Sequence, residues 1–221
     1  MKPDNNDVKG AKQYFDRIPK QWDAFYSHES WLTYLVNKLL RKGLYRRYQL
    51  AFQHIGDLTG ATVLDIGCGT GRYSIECAKR GAKRVVGIDF ALHMIEFSNN
   101  IAAQMGVSDT CEFICGDFLT HTFNESFDVV LALGFFDYIK AAGPVLKKIA
   151  HLTPCKFAAS FPKFTPVWGF QRTIRYNWIK KCPIYNYTQK QLAHLFSEAP
   201  FEEFIVIPCG KGFFTAAGRG Q

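Results

Sequence analysis

VLDIGCGTGRYSIECAKRGAKRVVGIDF, Val63 to Phe90, is the stretch on which the fold turns. It holds a short apolar run, three glycines within five residues, an amphipathic stretch and a second apolar run ending in an acid. Gly67, Gly69 and Gly71 follow the first run and open the amphipathic stretch. The chain can therefore turn tightly there and bring bare backbone against a ligand at a helix N-terminus. Asp89 closes the second run, 20 residues after Gly69, where a carboxylate can accept hydrogen bonds from both ribose hydroxyls. Strand, turn, helix, strand and acid in that register point to a ligand that contains a nucleoside.

Two nucleoside ligands compete. A dinucleotide fingerprint has the form G-x-G-x-x-G, whereas the spacing here is G-C-G-T-G with Asp65 two residues before the first glycine. That acid repels a pyrophosphate and answers an amino group. The ligand expected is S-adenosylmethionine.

Outward from this stretch, short apolar runs alternate with amphipathic ones. ATVLDI (61–66), RVVGID (84–89), CEFIC (111–115), FDVVLAL (127–133) and KFAASF (156–161) read as buried strands. RYSIECAKRG, ALHMIEFSNNIAAQMG and GPVLKKIAHL read as helices between them, the last with a proline suited to a first turn. After a short helix in TQKQLAHLFSEA, the runs EEFIVIP and GKGFFTAA look like a terminal antiparallel pair. The prediction is a three-layer, doubly wound α/β sandwich on a mostly parallel seven-stranded sheet.

Ahead of it, residues 1–10 read as a frayed polar terminus. Phe15, Ile18, Trp22 and either Phe25 or Tyr26 then fall at helical spacing around Pro19, and a second helical face runs from Leu32 to Phe52, with Gly43 as an interruption. The expected organisation is a helical N-terminal cover over 1–58 and a ligand-binding domain over 59–221. The latter carries a basic, aromatic insertion at 162–187.

DIGCGTG resembles the first motif of the class I S-adenosylmethionine-dependent methyltransferases. The resemblance implies that Asp65, Gly67, Cys68, Gly69 and Gly71 hold the methionine part of the donor and that Asp89 holds its ribose. Phe90 resembles the apolar neighbour that packs on adenine. CGDF resembles the family's adenine-edge motif, which implies contacts from Asp117 and Phe118. FDVVLALGFFDY resembles the fourth strand, whose end, Leu133 and Gly134, passes close to the methyl donor. The resemblance spans about residues 60–217.

Methyl transfer is an in-line displacement that needs alignment, water exclusion and, for a hydroxyl acceptor, a base. It requires no metal, and the sequence presents no metal-ligand cluster. Asp137 and Tyr138, directly after the fourth strand, either position and deprotonate the acceptor or serve the fold, Tyr138 by packing and Asp137 by capping the next helix. His28 is a second candidate base. GFFDY stands where many amino methyltransferases carry N/D-P-P-Y, which favours a small-molecule acceptor over nucleic acid or protein. The YFDRIPKQWDAFY opening is similar to that small-molecule branch, including magnesium-protoporphyrin and ubiquinone-type enzymes. Tyr14, Phe15 and Tyr26 there either close over the donor or pack in the core.

Charge supplies the last clue. Ten of the 27 Lys and Arg fall between Tyr138 and Ser197 with no Asp or Glu among them, leaving 17 bases against all 19 acids elsewhere. Within that stretch Arg172, Arg175, Lys180 and Lys181 interleave with aromatics. The mixture suits an anionic, largely apolar acceptor or peripheral membrane contact through 163–181. It also suits RNA, or an ordinary solvated basic face. O-methylation is slightly favoured; the alternatives are an RNA methyltransferase and a cofactor-binding regulator without catalysis. The start lacks a secretory segment, and the seven cysteines are scattered, so the chain is expected to be cytoplasmic with reduced thiols. Cys111 and Cys115 read as ordinary buried cysteines.

Overall fold

The structure, a computed structural model, describes residues 42–153, 155–163 and 184–218. The readings for Tyr14, Phe15, Tyr26 and His28, and for the basic residues from Arg172 to Lys181, lie outside the described residues.

Five parallel strands come first: β1 (Thr62–Ile66), β2 (Arg84–Asp89), β3 (Cys111–Cys115), β4 (Val129–Ala132) and β5 (Lys156–Pro162). β6 (Glu203–Cys209) and β7 (Gly212–Gly218) complete a seven-stranded sheet in the order β3-β2-β1-β4-β5-β7-β6. β7 runs antiparallel to both of its neighbours, β5 and β6. The sheet is the predicted one, with the terminal strand inserted beside β5 rather than at the rim.

Helices cover both faces. α1 (Lys42–Ile55) packs on β5, β7 and β6, while α2 (Arg72–Lys79) and α3 (Leu92–Gln104) pack on β1, β2 and β3. Ala51, Phe52, Ile55, Ile75 and Ala102 join Val63, Val85, Leu131 and Phe214 in one core. α4 (Ala142–Leu152) and α5 (Gln189–Ser197) close the other face, where Leu146, Ile149, Leu192 and Phe196 meet Leu64, Ile88, Val130 and Phe157. Alternation along each strand thus feeds two cores, which is why the central strands read as continuous apolar runs. α5 starts on a capping box: the Thr188 hydroxyl accepts from the Gln191 backbone and the Gln191 side chain accepts from the Thr188 N–H.

Several boundaries moved for identifiable reasons. β4 is shorter than FDVVLAL because Phe127 donates to Leu152 and the Asp128 carboxylate is taken by the backbone and hydroxyl of Thr62. α1 shares its core with the strands and Leu58. Its second residue, Gly43, meets the β6–β7 turn: a Cβ on Gly43 would lie 3.4 Å from the Gly210 Cα, and one on Gly210 would lie 2.8 Å from the Gly43 Cα. Cys111 is buried but Cys115, at the edge strand, is exposed. No helix among the described residues is long and apolar enough to cross a membrane.

Candidate functional site

The C-terminal ends of β1, β2, β4 and β5 converge on one edge of the sheet, where strand order reverses between β1 and β4. The glycine turn leaves β1 there. Gly67, Gly69 and Gly71 all have positive φ, 67°, 53° and 73°. The turn is pinned to the neighbouring strand, with Gly67 and Cys68 N–H both donating to the Ile88 carbonyl at 2.8 and 3.2 Å.

The three glycines serve different ends. A Cβ on Gly67 would strike the Phe135 ring at 2.8 Å, and one on Gly71 would strike Ser98 and Phe113. These two are required by packing. A Cβ on Gly69 would meet nothing within 4 Å, so this residue borders open space and is the point where bare backbone faces a ligand.

Two carboxylates flank the turn. Asp65 is 2% exposed at the end of β1, and its Oδ2 accepts from the Ser74 hydroxyl at 2.7 Å. Burial pushes its carboxyl up to about 6; the hydrogen bonds from Ser74 oppose the rise and the charge of Asp89 adds to it. Asp89, half-buried, accepts from Gly69 N–H at 3.0 Å on one oxygen and from Ala91 N–H at 2.9 Å on the other. It is thereby held against the turn at the end of β2. An acid kept dry beside exposed backbone favours a cationic ligand group. Cys68, also buried, has its thiol pushed up by burial and by both acids, so it lines the turn as a neutral side chain.

Further along the edge, Phe90 is half-buried at the β2 exit, with its carbonyl near the Cys115 thiol. The half-buried Asp117 accepts from Leu119 N–H at 2.9 Å and closes a turn with His121. Phe118 is 3% exposed and packs edge-on to Phe135, inside the core. Lys148 donates to the carbonyls of Phe118, Leu119 and His121 and fixes that loop from below.

β4 leads into Leu133, which is buried, and Gly134, with φ of 93°. Asp137 and Tyr138, both half-buried, lie in a single 3-10 turn, Phe136–Tyr138. The N-cap of α4 is Ala141, so Asp137 does not cap that helix, the structural one of its two readings. Its carbonyl instead accepts from Tyr185 N–H at 2.9 Å. Tyr187 donates its hydroxyl to the Ile139 carbonyl at 2.8 Å and its N–H to Pro162, while Lys163 pairs with Tyr187. Lys163, Tyr185 and Tyr187 are therefore tied to this edge.

One residue here went unread in the sequence. Arg47 of α1 donates from Nη1 to the Ser160 hydroxyl at 3.2 Å, and the same oxygen accepts from Gly134 N–H at 2.9 Å. Its signal was weak: in LYRRYQ it is one of two adjacent arginines on a helix whose apolar face was legible but whose docking site was not.

Residues 57–156 match a family model described as a methyltransferase domain. A sterol 4-C-methyltransferase of Caenorhabditis elegans is 38% identical over 90 residues, 40% of this chain and 27% of that protein. The matches span 27%, 17% and 19% of the first three curated relatives, so the chain corresponds to only about a quarter or less of each. Relatives matched in this way are named for sterol and for protein acceptors alike. Among solved structures, the magnesium protoporphyrin IX methyltransferase of Synechocystis superposes with a TM-score of 0.75 at 19% identity, covering 100% of both chains. The geranyl diphosphate C-methyltransferase of Streptomyces coelicolor superposes with a TM-score of 0.74 at 12% identity, covering 99% of each. Residues 57–156 thus resemble a methyltransferase domain, and the fold is the one that these solved methyltransferases share.

Proposed function

We propose that this S-adenosylmethionine-dependent methyltransferase moves its methyl group to a small, anionic and largely apolar acceptor, with oxygen favoured as the nucleophile. The observation that carries the acceptor class is the tethering of the acid-free stretch. Lys163 at one end donates its N–H to Lys211 in the β6–β7 turn and pairs with Tyr187, while Tyr185 and Tyr187 at the other are bonded to the loop that follows β4 and to the end of β5. In the sequence between those anchors, Arg172, Arg175, Lys180 and Lys181 interleave with aromatics and no acid intervenes.

The donor supplies a methyl on a positively charged sulfur, already activated for displacement. The residues present fit it. Asp65 offers a dry carboxylate for an ammonium, Asp89 offers a carboxylate for ribose hydroxyls, and Gly69 leaves backbone bare between them. Phe90 and Asp117 flank the adenine side, and Leu133 and Gly134 border the reacting methyl. Phe135, packed against Phe118 and Phe136, walls the turn from the core side and excludes water. Asp137 and Tyr138, one turn beyond β4, orient the acceptor hydroxyl and take its proton.

The test is calorimetric titration with S-adenosylmethionine and S-adenosylhomocysteine, followed by transfer of isotopic methyl into pooled small-molecule extract and pooled RNA. Micromolar binding with label in organic-soluble, anionic material is the expected result. Label in RNA overturns the acceptor class, and absence of binding overturns the donor assignment.

A further inference from the structure

We infer that Lys148 is a positioning residue for the donor's purine: its ammonium, reaching from α4, orients the Asp117 carboxylate that reads the exocyclic amino group. The inference rests on the reading of the CGDF loop as the adenine edge of the donor's seat.

The connection runs through a single peptide unit. Asp117 Oδ1 accepts from Leu119 N–H at 2.9 Å. The carbonyl of that same peptide, which belongs to Phe118, accepts from Lys148 Nζ. A cation on the oxygen polarises the amide and makes its N–H a stronger donor to the carboxylate. Because the peptide is planar, fixing its carbonyl also fixes the direction of its N–H. The Asp117 side chain is thereby held by one oxygen. Among the described residues none donates to its other oxygen, and that oxygen can accept from an amino group.

The same ammonium gathers the rest of the turn, donating to the Leu119 and His121 carbonyls as well. An ammonium has three donors and no acceptor, and here each donor meets a carbonyl of one loop. Three carbonyl oxygens turned towards one point repel one another, and a cation at that point reverses the sign. The backbone of Asp117 belongs to the same turn, since its carbonyl accepts from Thr120 and His121 N–H at 3.1 and 2.9 Å.

Packing alone does not call for a charge here. Val145, Leu146 and Ile149 fill the buried face of α4 with apolar side chains. Lys148 is half-buried beside them, whereas its neighbour Lys147 is exposed. Its Nζ lies 4.8 Å from the centre of the Phe118 ring, and among the described residues it forms no ion pair. Burial pulls the ammonium below the usual lysine range, and the charge of Asp117 opposes that fall.

The probes are S-adenosylhomocysteine and S-inosylhomocysteine, a matched pair that differs at the purine edge, an amino group in one and a carbonyl in the other. Affinities are measured by calorimetry for wild type, Asp117→Ala, Lys148→Met, Lys148→Arg and the double variant of Lys148→Met with Asp117→Ala. Wild type should prefer the adenine ligand by on the order of 10-fold or more. Asp117→Ala should abolish the preference, Lys148→Met should remove most of it, and Lys148→Arg should keep part. Once Asp117 is alanine, Lys148→Met should change S-adenosylhomocysteine affinity less than it does alone. A folded Lys148→Met that retains the wild-type preference overturns the inference and leaves the donor reading standing, because a merely structural lysine would weaken both ligands equally. Should Lys148→Met fail to fold, Lys148→Arg carries the test, since it keeps the charge but cannot converge three donors on one turn: a reduced preference supports the inference and an unchanged one overturns it. A wild type that binds both ligands equally removes Asp117 from the adenine edge and the inference with it. Binding of neither overturns the donor reading itself.

Discussion

At Asp65 the site and the fold pull in opposite directions. Its native carboxyl protonates near pH 6 and an unfolded one near 4. The folded state therefore holds more protons between those values, and stability rises as pH falls from about 7 to 4. Keeping this group ionised at neutral pH costs roughly 3 kcal/mol. Asp65→Asn should raise the melting temperature of the ligand-free protein at pH 8 and flatten its pH dependence between 4 and 7. Thermal melts across that range check this, and an unchanged profile contradicts the assignment. The same variant should lose S-adenosylhomocysteine affinity, because the ammonium loses its counter-charge. Asp89→Ala should weaken that affinity by about 2 to 4 kcal/mol through loss of charge-assisted bonds, read by calorimetry. The glycines divide differently: Gly69→Val should fold, at about 1 to 2 kcal/mol for its left-handed backbone, yet fail to bind. Gly67→Val drives a side chain into Phe135 and should fail to fold, which circular dichroism distinguishes.

Among the elements, α5 offers a clean test because its start is a local device. Thr188→Ala removes one half of the capping box and should cost about 1 kcal/mol, a fall in melting temperature of roughly 2 to 4 °C, with donor affinity unchanged. Elements of this kind were legible in the sequence. β2 and β3 coincide with the apolar runs RVVGID and CEFIC because both strands end where the runs end. FDVVLAL overran β4 because an apolar run records burial, and Phe127 and Leu133 are buried without joining the ladder. The glycine turn and its acids were legible for a related reason: their chemistry is set by neighbours within one strand-helix-strand unit. Arg47 was not, since its role depends on a contact with Ser160, 113 residues away.

For the whole molecule, the same distance argument explains what the sequence withheld about α1. Its helical period is local, but its seat on β5 and β7 is a tertiary fact. A chain beginning at residue 59 would bare the sheet face now covered by Ala51, Phe52, Ile55 and Leu58. Such a variant should lose cooperative unfolding and bind a hydrophobic dye, as measured by denaturant titration. Retained cooperativity would mean that the 59–221 unit stands alone.

The position of β7 carries a consequence for biosynthesis. β7 follows β5 and β6 in the chain yet is wedged between them, and its turn with β6 presses glycine against glycine on the first turn of α1. Until β7 has been synthesised, α1 lacks part of its seat. The glycine turn on β1 and β2 belongs to one local unit and can form earlier. A growing chain would thus be able to build the cofactor's cradle before the helix across the sheet had a place to dock.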